Sequence, residues 1–320
     1  MRGQGNGAAP GAGTKRAEEF TELRPLLFAI AYRILGSVTE AEDVVQDSWL
    51  RYDAAEARPE SPKAYLSTIV TRLAVNVLKS ARVRREEYVG EWFPEPLLED
   101  PYQDPARSAE LADSVSMAAL VLLERLSPLE RATFVLRDVF GFEYIDIAAA
   151  VGRSESACRQ LLVRARRHVR QGRPRFEADR EARDELAARF FEAIGNGDLD
   201  GLRDLLAADV QLVTDTGGKA PAPPRPIVGA KQNLRLLGAI IPDLDRIGLT
   251  LEPQEVNGEP GALARDGEGN IVQVMTLDIA GGRIQTIRMV SNPEKLAHLG
   301  PVADQWAVAR EYRHGRDARR

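Results

Sequence analysis

The chain has 320 residues, of which 44% are apolar, and a formal net charge of −5. This length predicts two or three domains, and no apolar run approaches the roughly 18 residues of a membrane span. The N-terminal stretch lacks the apolar segment of a signal peptide. A single cysteine, Cys158, excludes an internal disulfide and a cysteine-based zinc site. The composition therefore predicts a cytoplasmic protein with no metal and no other cofactor.

Charge is distributed unevenly along the sequence. Residues 153–175 carry eight arginines and one acid, whereas residues 40–60 carry seven acids and two arginines. Residues 181–300 carry 18 acids and 12 bases. A local basic stripe is the electrostatic footprint of a nucleic-acid-binding element even in an acidic chain. The net charge therefore does not exclude DNA as a partner.

The first domain is predicted to be all-helical. Residues 1–17 are glycine-rich and predict a disordered lead-in, and residues 18–87 show apolar spacing typical of helices. Gly36 is placed to end the first helix, and Thr39 with Glu42 forms a capping box that predicts the start of the second. Ser61 and Pro62 predict the start of a third helix, with proline in its first turn.

A second helical domain follows a linker. Four prolines and a run of acids make residues 88–113 the linker, and helices resume in residues 114–172 with a capping box at residues 127–130. Within this domain, residues 144–152 predict a short helix ended by glycine, and Ser154 caps the next helix. Two short helices joined by a glycine-bearing turn predict a helix-turn-helix.

The second helix of this motif is predicted to enter the DNA major groove. Its leading residues lie off the apolar stripe and are suited to reading bases, and its later arginines are suited to phosphate contact. A solvated arginine face is the alternative interpretation. Cys158 lies on the apolar stripe and is expected to be buried.

The C-terminal part is predicted to be an α+β domain over residues 180–300, after a charged linker at residues 173–179. Helices are followed by strands at residues 210–214, 247–256, 271–279 and 283–290, and Gly281 with Gly282 predicts a tight hairpin. These short strands predict an antiparallel sheet. Residues 301–320 predict a polar, partly ordered tail.

The order of these segments resembles group IV (extracytoplasmic function, ECF) sigma factors over about residues 18–172. The resemblance rests on the acidic helix at residues 41–47 (AEDVVQD), the basic third helix, residues 126–131 (LSPLER) and the helix-turn-helix. It implies core RNA polymerase, through its β′ clamp helices and β flap, and promoter DNA as partners, with no enzymatic activity. The residues implied to face the polymerase are Asp43, Gln46, Asp47, Trp49 and Leu50.

The same resemblance implies two DNA-binding sets. The loop and helix at residues 58–85 would capture the melted −10 element in a basic channel, although cations ending this helix also favour its dipole. These residues are Arg58, Lys63, Arg72, Asn76, Lys79, Arg82, Arg84 and Arg85. The −35 element would be read by Arg153, Ser154, Ser156, Ala157, Arg159, Gln160, Arg164 and Arg167.

Three further motifs are similar to marks of the SigJ-like, ECF41-type branch of this family. They are residues 92–97 (WFPEPL), 215–219 (DTGGK) and 292–296 (NPEKL), where the usual forms are WLPEPL, DGGGK and NPDKL. Thr216 thus replaces a glycine of a loop in which positive φ is expected. The resemblance implies a fused SnoaL-like domain of NTF2-type cone fold, which regulates the two all-α sigma domains in place of a separate anti-sigma factor.

We expect the second and third motifs to dock near the first, because a tryptophan flanked by prolines is a rigid apolar anchor. The alternative is that Trp92 packs only on its own sigma domain. The candidate regulatory residues are Trp92, Pro94, Asp215, Gly217, Gly218, Lys219, Asn292, Pro293 and Lys295.

Two other functions stay open from the sequence. One is a helix-turn-helix regulator with a ligand-binding domain, and the other is a SnoaL-type isomerase or hydrolase with a DNA-binding appendage. The enzyme hypothesis lacks candidate catalytic groups, since only His298 lies near the C-terminal domain and no metal-spaced cluster exists. The cone is also a candidate site for a small-molecule effector.

Overall fold

The computed structural model describes residues 12–86, 88–102, 104, 111, 114–172, 180–223 and 225–317. The linker predicted at residues 173–179 lies outside these residues, as do residues 1–11 of the predicted lead-in. Residues 12–17, predicted to be disordered, instead form the first turns of a helix. No helix within the described ranges is long and apolar enough to cross a membrane.

Three helices form the first domain: α1 (Ala12–Leu35), α2 (Val38–Asp53) and α3 (Pro62–Glu86). Gly36, with φ of +69°, ends α1 as predicted. The N-cap of α2 is Ser37, whose Oγ accepts a hydrogen bond from the Glu40 amide at 3.1 Å. The prediction of Thr39 as this cap was therefore wrong. The turn at Gly36 puts Ser37 in the extended conformation that an N-cap requires, so Thr39 already lies inside the helix.

The second domain includes the α-helices α4 (Met117–Leu123), α5 (Pro128–Phe134), α6 (Tyr144–Val151) and α7 (Glu155–Gly172). A π-helical turn, Val135–Val139, continues α5. The capping box predicted at the start of α5 is present, with Ser127 and Glu130 bonded reciprocally. Gly152, with φ of +66°, ends α6 and makes the turn of the helix-turn-helix.

The two helical domains pack against each other rather than standing apart. One continuous apolar core contains Leu66 and Val70 of α3 together with Ile147, Ala150 and Val151 of the helix-turn-helix. The guanidinium of Arg72 on α3 also donates to the carbonyl oxygen of Ala149 at 2.7 Å. The long basic helix of the first domain is thereby fixed against the DNA-reading motif of the second.

The C-terminal domain combines helices with a six-stranded sheet. Its elements are α8 (Arg180–Asn196), α9 (Leu199–Leu205), β1 (Leu206–Asp215), β2 (Ile227–Val228), α10 (Ala230–Ile240), β3 (Thr250–Val256), β4 (Glu259–Arg265), β5 (Ile271–Ala280), β6 (Arg283–Val290), α11 (Pro293–Leu296) and α12 (Gln305–Asp317). The strand order is β2-β1-β6-β5-β4-β3. Most of the predicted polar tail thus forms α12.

The sheet is mixed, so the predicted all-antiparallel sheet was wrong at one pairing. Strands β3 to β6 follow one another through hairpins, but β1 pairs with β6 in parallel. The chain leaves β1 through β2 and the α10 crossover, and three hairpins then bring β6 back in the direction of β1. Gly281 and Gly282 form the predicted hairpin turn, with φ of +61° and +65°. Strands β2 and β4 were not predicted.

Candidate interdomain and DNA-binding sites

The leading end of α7 is open to solvent. Ser154 caps the helix by accepting a hydrogen bond from the Ala157 amide at 3.2 Å, and Ala157 itself is half-buried. Cys158 is buried on the apolar stripe as expected, and burial raises the pKa of its thiol. The candidate base-reading and phosphate-binding side chains exposed along α7 and its preceding turn are Arg153, Ser154, Ser156, Arg159, Gln160, Arg164 and Arg167.

Some of these arginines already have protein partners. The Arg164 Nε donates to Glu130 Oε1 at 2.8 Å, which ties α7 to the cap of α5. Burial alone would raise the pKa of Glu130, but hydrogen bonds from Arg164 and Ser127 bring that pKa below its usual range. Arg159 lies 4.1 Å from the centre of the Tyr144 ring. Arg164 is therefore paired with an acid through its Nε, while its side chain stays about half exposed.

The predicted −10 residues divide into two groups. Arg58 pairs with Glu19, the Lys63 ammonium lies 5.9 Å from the centre of the Phe142 ring, and Arg72 is bonded to Ala149. Asn76 and Lys79 are exposed further along α3. The side chains of Arg82, Arg84 and Arg85 lie outside the described residues. Lys63 and Arg72 thus contact the helix-turn-helix domain in this arrangement.

The predicted polymerase-facing surface lies on α2. Asp43, Gln46 and Asp47 are exposed, and Leu50 keeps 59% of its surface accessible. Trp49 is half-buried, because its ring packs 5.1 Å from that of Phe20. Acidic groups around an exposed leucine form a surface suited to a protein partner. Trp49 differs from the other four by also belonging to the domain's own core.

A buried polar cluster joins the C-terminal domain to the first linker. We call it the Asp215 cluster, and it comprises Tyr88, Phe93, Asp215, Asn292 and Lys295. Asp215 Oδ1 accepts from the Tyr88 hydroxyl at 2.5 Å, and Oδ2 accepts from the Phe93 amide at 2.7 Å and from Lys295 Nζ at 2.6 Å. Asn292 Nδ2 donates to the Tyr88 hydroxyl oxygen at 2.8 Å. The structure thus brings all three sequence motifs together.

Aromatic rings complete the surroundings of Lys295. Its ammonium lies 4.1 Å from the centre of the Trp92 ring and 4.8 Å from that of Tyr88, and it also donates to the Phe93 carbonyl. The edge of the Trp92 ring lies close to Gly36, where an added Cβ would be 3.1 Å from the indole Cη2. Trp92 therefore contacts both the first sigma domain and the C-terminal domain.

The loop that follows Asp215 is shaped by two glycines. Gly217 and Gly218 have φ of +55° and +73°, and a Cβ at Gly217 would lie 2.5 Å from Asn292 Nδ2. Thr216 does not adopt positive φ, and its Oγ1 accepts from the Gly218 amide at 3.2 Å. The substitution of the usual glycine by Thr216 therefore leaves the loop unstrained. Lys219 lies outside the cluster and forms an exposed ion pair with Glu294.

A second junction was missed from the sequence. Asn257, in the turn between β3 and β4, has φ of +55°. Its backbone amide donates to the Leu97 carbonyl oxygen, and its Oδ1 accepts a hydrogen bond from the Leu97 amide. Its Nδ2 donates to the Tyr32 hydroxyl at 2.7 Å and to the Val115 carbonyl at 3.0 Å. One side chain thus reaches the linker, α1 and the segment before α4. The sequence signals only the turn here, because Asn257-Gly258 is a strong hairpin dipeptide, and not the contacts that Asn257 makes.

An acidic group lies beside this junction. Glu259 is 3% exposed and accepts a hydrogen bond from the Met117 amide at the start of α4. Burial and the nearby charge of Asp278 raise the pKa of Glu259 to about 8, although Arg288 and Arg183 oppose the shift. Glu259 therefore favours its protonated form inside the interface at neutral pH.

Apolar contacts close the interface around these polar groups. Phe93 of the linker and Met117 of α4 are buried in one cluster with Val256, Leu263 and Leu296 of the C-terminal domain. Pro94 is also buried in the linker. His298 is bonded to the Pro96 carbonyl at 2.7 Å, so it belongs to this interface. Among the described residues, no group of histidine, cysteine and acidic side chains could hold a metal.

Comparison with known proteins identifies this architecture. Residues 20–84 match the family model Sigma-70 region 2, and residues 116–169 match the model Sigma-70, region 4. The chain is 36% identical to the ECF RNA polymerase sigma factor SigJ of Mycobacterium tuberculosis, over 87% of this chain and 92% of that protein. It is 31% identical to the probable ECF sigma factor SigI of the same species, over 86% and 93%.

A solved structure agrees with these relatives. The crystal structure of M. tuberculosis SigJ matches 88% of this chain and 98% of its own with a TM-score of 0.68 and 33% identity. The two matched regions define a sigma-70 type protein. The chain belongs to the ECF RNA polymerase sigma factors.

This membership confirms several predictions. The chain is a promoter-recognising sigma factor, with core RNA polymerase and promoter DNA as partners. The predicted fold class is also confirmed at the level of architecture, with two all-α sigma domains followed by an α+β domain.

Two lysine–acid pairs in the same motifs provide a matched stability test. Asp215→Asn leaves Lys295 buried without its counter-charge, so we expect a loss of about 3–5 kcal/mol in the free energy of unfolding. Lys219→Met removes only an exposed pair and should cost less than about 1 kcal/mol. Urea unfolding of the full chain measures both. The double variant Asp215→Asn/Lys295→Met should recover part of the loss, and equal effects of the two single variants would contradict the assigned burial.

Glu259 predicts a pH dependence of stability. Its pKa in the folded chain lies above the value of about 4.3 in the unfolded chain, so between these values the folded state holds a proton that the unfolded state has lost. Stability should therefore fall as pH rises from about 5 to 8, by up to about 1.4 kcal/mol per pH unit from this group. Thermal unfolding of Glu259→Gln should show a flatter pH profile than the native chain. The exposed control Glu192→Gln should keep the native profile.

Proposed function

We propose that this sigma factor is regulated by its own C-terminal domain, which restrains the two sigma domains in a packed arrangement without a separate anti-sigma factor. The observation that carries the proposal is the Asp215 cluster. It joins the end of β1 and the start of α11 to the linker between the sigma domains. The linker is the segment that must change shape if the two sigma domains separate.

The linker is held at two points rather than one. Asp215 bonds Tyr88 and Phe93 near its start, and Asn257 bonds the backbone of Leu97, which follows Phe93 by four residues. Asn257 also contacts Tyr32 of the first sigma domain. Separation of the sigma domains would therefore require both junctions to yield or the whole C-terminal domain to move.

The restraint acts on candidate DNA-binding groups. Lys63 and Arg72, assigned to the −10 element, contact Phe142 and Ala149 of the helix-turn-helix domain. We propose that release frees these two side chains for the melted strand, alongside Asn76 and Lys79. The exposed leading end of α7 supports its proposed role at the −35 element, and the exposed acidic face of α2 supports its proposed role at the β′ clamp helices.

We further propose that the C-terminal domain acts by contact and not by catalysis. His298 is committed to the Pro96 carbonyl in the interface. The buried acids Asp215 and Glu259 are likewise bonded to the linker and to α4. These contacts support a regulatory role, and we propose that it is exercised in the cytoplasm, where the transcription machinery acts.

Run-off transcription tests the restraint. With core polymerase, limiting sigma factor and a template carrying the region upstream of its own gene, Asp215→Asn should increase specific transcripts severalfold, because the linker loses its charged partner. Lys219→Met is the control and should match the native chain. The full chain is used because truncation would expose Phe93 and Met117. Unchanged or reduced output from Asp215→Asn, with core binding intact, would overturn the restraint.

The reading helix gives a second prediction. Gln160→Ala should weaken binding of the holoenzyme to its promoter by about 1–3 kcal/mol and relax the preference at one base pair. Arg167→Ala should instead weaken binding to all sequences and reduce the salt dependence. Competition binding with single-base promoter variants separates the two effects. A uniform loss for Gln160→Ala would remove it from the base-reading set.

A further inference from the structure

The C-terminal domain contains a cavity that the interdomain junctions do not use. It has a volume of about 250 Å³ and lies between the sheet, α10 and α12. Its walls include Leu237 of α10, Met275 and Met289 of the sheet, and Val308 and Ala309 of α12. A cavity of this size in a domain with its own dense apolar core is space that packing has left open.

The lining determines what could bind. None of the described residues that line the cavity is charged. Four of the five polar side chains in the wall have partners within the chain: Gln305 donates to the Val272 carbonyl at 2.5 Å, Tyr312 donates to the Ala239 carbonyl at 3.0 Å, and Ser291 bonds Gln273 at 3.4 Å. A charged ligand would lose its hydration without compensation there. The wall therefore favours a neutral, apolar molecule.

The volume limits the size of this molecule. An engineered apolar cavity of about 150 Å³ accepts benzene, with six non-hydrogen atoms, so about 250 Å³ corresponds to about ten. A bicyclic hydrocarbon or an equally small terpenoid has this size.

The cavity and the Asp215 cluster share two strand ends. Thr214 at the end of β1 and Ser291 just after β6 line the cavity, and the next residues are Asp215 and Asn292. The Ser291 and Asn292 amides both donate to the Asp215 carbonyl, at 2.8 and 3.1 Å. Because successive side chains of a strand point to opposite faces, one face of this end lines the cavity and the other carries the cluster.

We propose that the cavity binds a neutral, apolar small molecule of about ten non-hydrogen atoms, and that its occupancy alters the Asp215 cluster through the ends of β1 and β6. The binding site stands independently of the regulatory proposal above, whereas the effect on transcription rests on it. A ligand that moves Thr214 or Ser291 must also move Asp215 or Asn292, because they are covalent neighbours within one hydrogen-bonded turn.

Binding is tested with 1-fluoronaphthalene, a neutral bicyclic probe, added to the full chain and followed by ¹⁹F NMR. The native chain should broaden and shift the probe signal in a saturable manner. Ala309→Phe fills the cavity from α12 and should weaken binding at least about tenfold. Ala307→Phe makes the same change on the same helix at a residue that does not line the cavity, and it should bind as the native chain does.

Ala222→Trp, in the loop on the cavity wall, is a second filling variant in case Ala309→Phe unfolds. Thermal unfolding identifies which variants are folded. The binding site would be overturned by the absence of a saturable signal with the native chain. It would also be overturned if a folded filling variant bound the probe as well as the native chain does.

Coupling is tested by hydrogen exchange of the peptide spanning residues 88–97, which contains the Phe93 amide bonded to Asp215. Saturation with 1-fluoronaphthalene should change its exchange rate at least threefold, while residues 40–52 of α2 stay unchanged. Ala309→Phe should abolish the change. Normal binding with unchanged exchange would overturn the coupling and leave the binding site. Neither readout contains polymerase, so failure of the transcription test above is a separate result.

Discussion

The arrangement of the three domains depends on a carboxylate, Asp215, that has no contact with solvent. An isolated charge in that position would be very costly, and it is tolerated because Lys295 and three further donors surround it. Two of those donors, the Tyr88 hydroxyl and the Phe93 amide, belong to the linker between the sigma domains. The linker therefore supplies two of the four donors to this carboxylate, whereas Lys295 and the Gly217 amide come from the C-terminal domain itself.

A polar junction of this kind is suited to regulation because its net contribution to stability is modest. A buried ion pair gains little over an apolar replacement of similar volume, although removal of one partner is costly. The junction therefore specifies a single docked geometry without making it irreversible. The surrounding apolar contacts of Phe93 and Met117 supply general affinity, whereas Asp215 and Asn257 fix the register of the linker.

Much of this organisation could be predicted from the sequence. The helix-turn-helix follows from Gly152, Ser154 and the apolar stripe of α7, and the meeting of the three motifs was predicted from residue order and the resemblance to the ECF family. The contribution of Tyr88 and Asn257 was not predicted, because each acts through partners more than 100 residues away in the chain. Spacing patterns report local structure, and such pairings have no local signature. The parallel pairing of β1 with β6 escaped prediction for the same reason.

Two exposed positive side chains, Lys63 and Arg72, lie at the edge of the contact between α3 and the helix-turn-helix domain. The Lys63 ammonium approaches an aromatic ring, and the Arg72 guanidinium meets a backbone carbonyl near the end of α6, where the helix dipole is negative. An aromatic ring and a backbone carbonyl carry no full negative charge, so each binds a cation more weakly than an acidic side chain would. Under the proposed release of the linker, DNA would compete for Lys63 and Arg72 against partners that carry no full negative charge. The groups assigned to the melted strand are held by partners that a polyanion can displace.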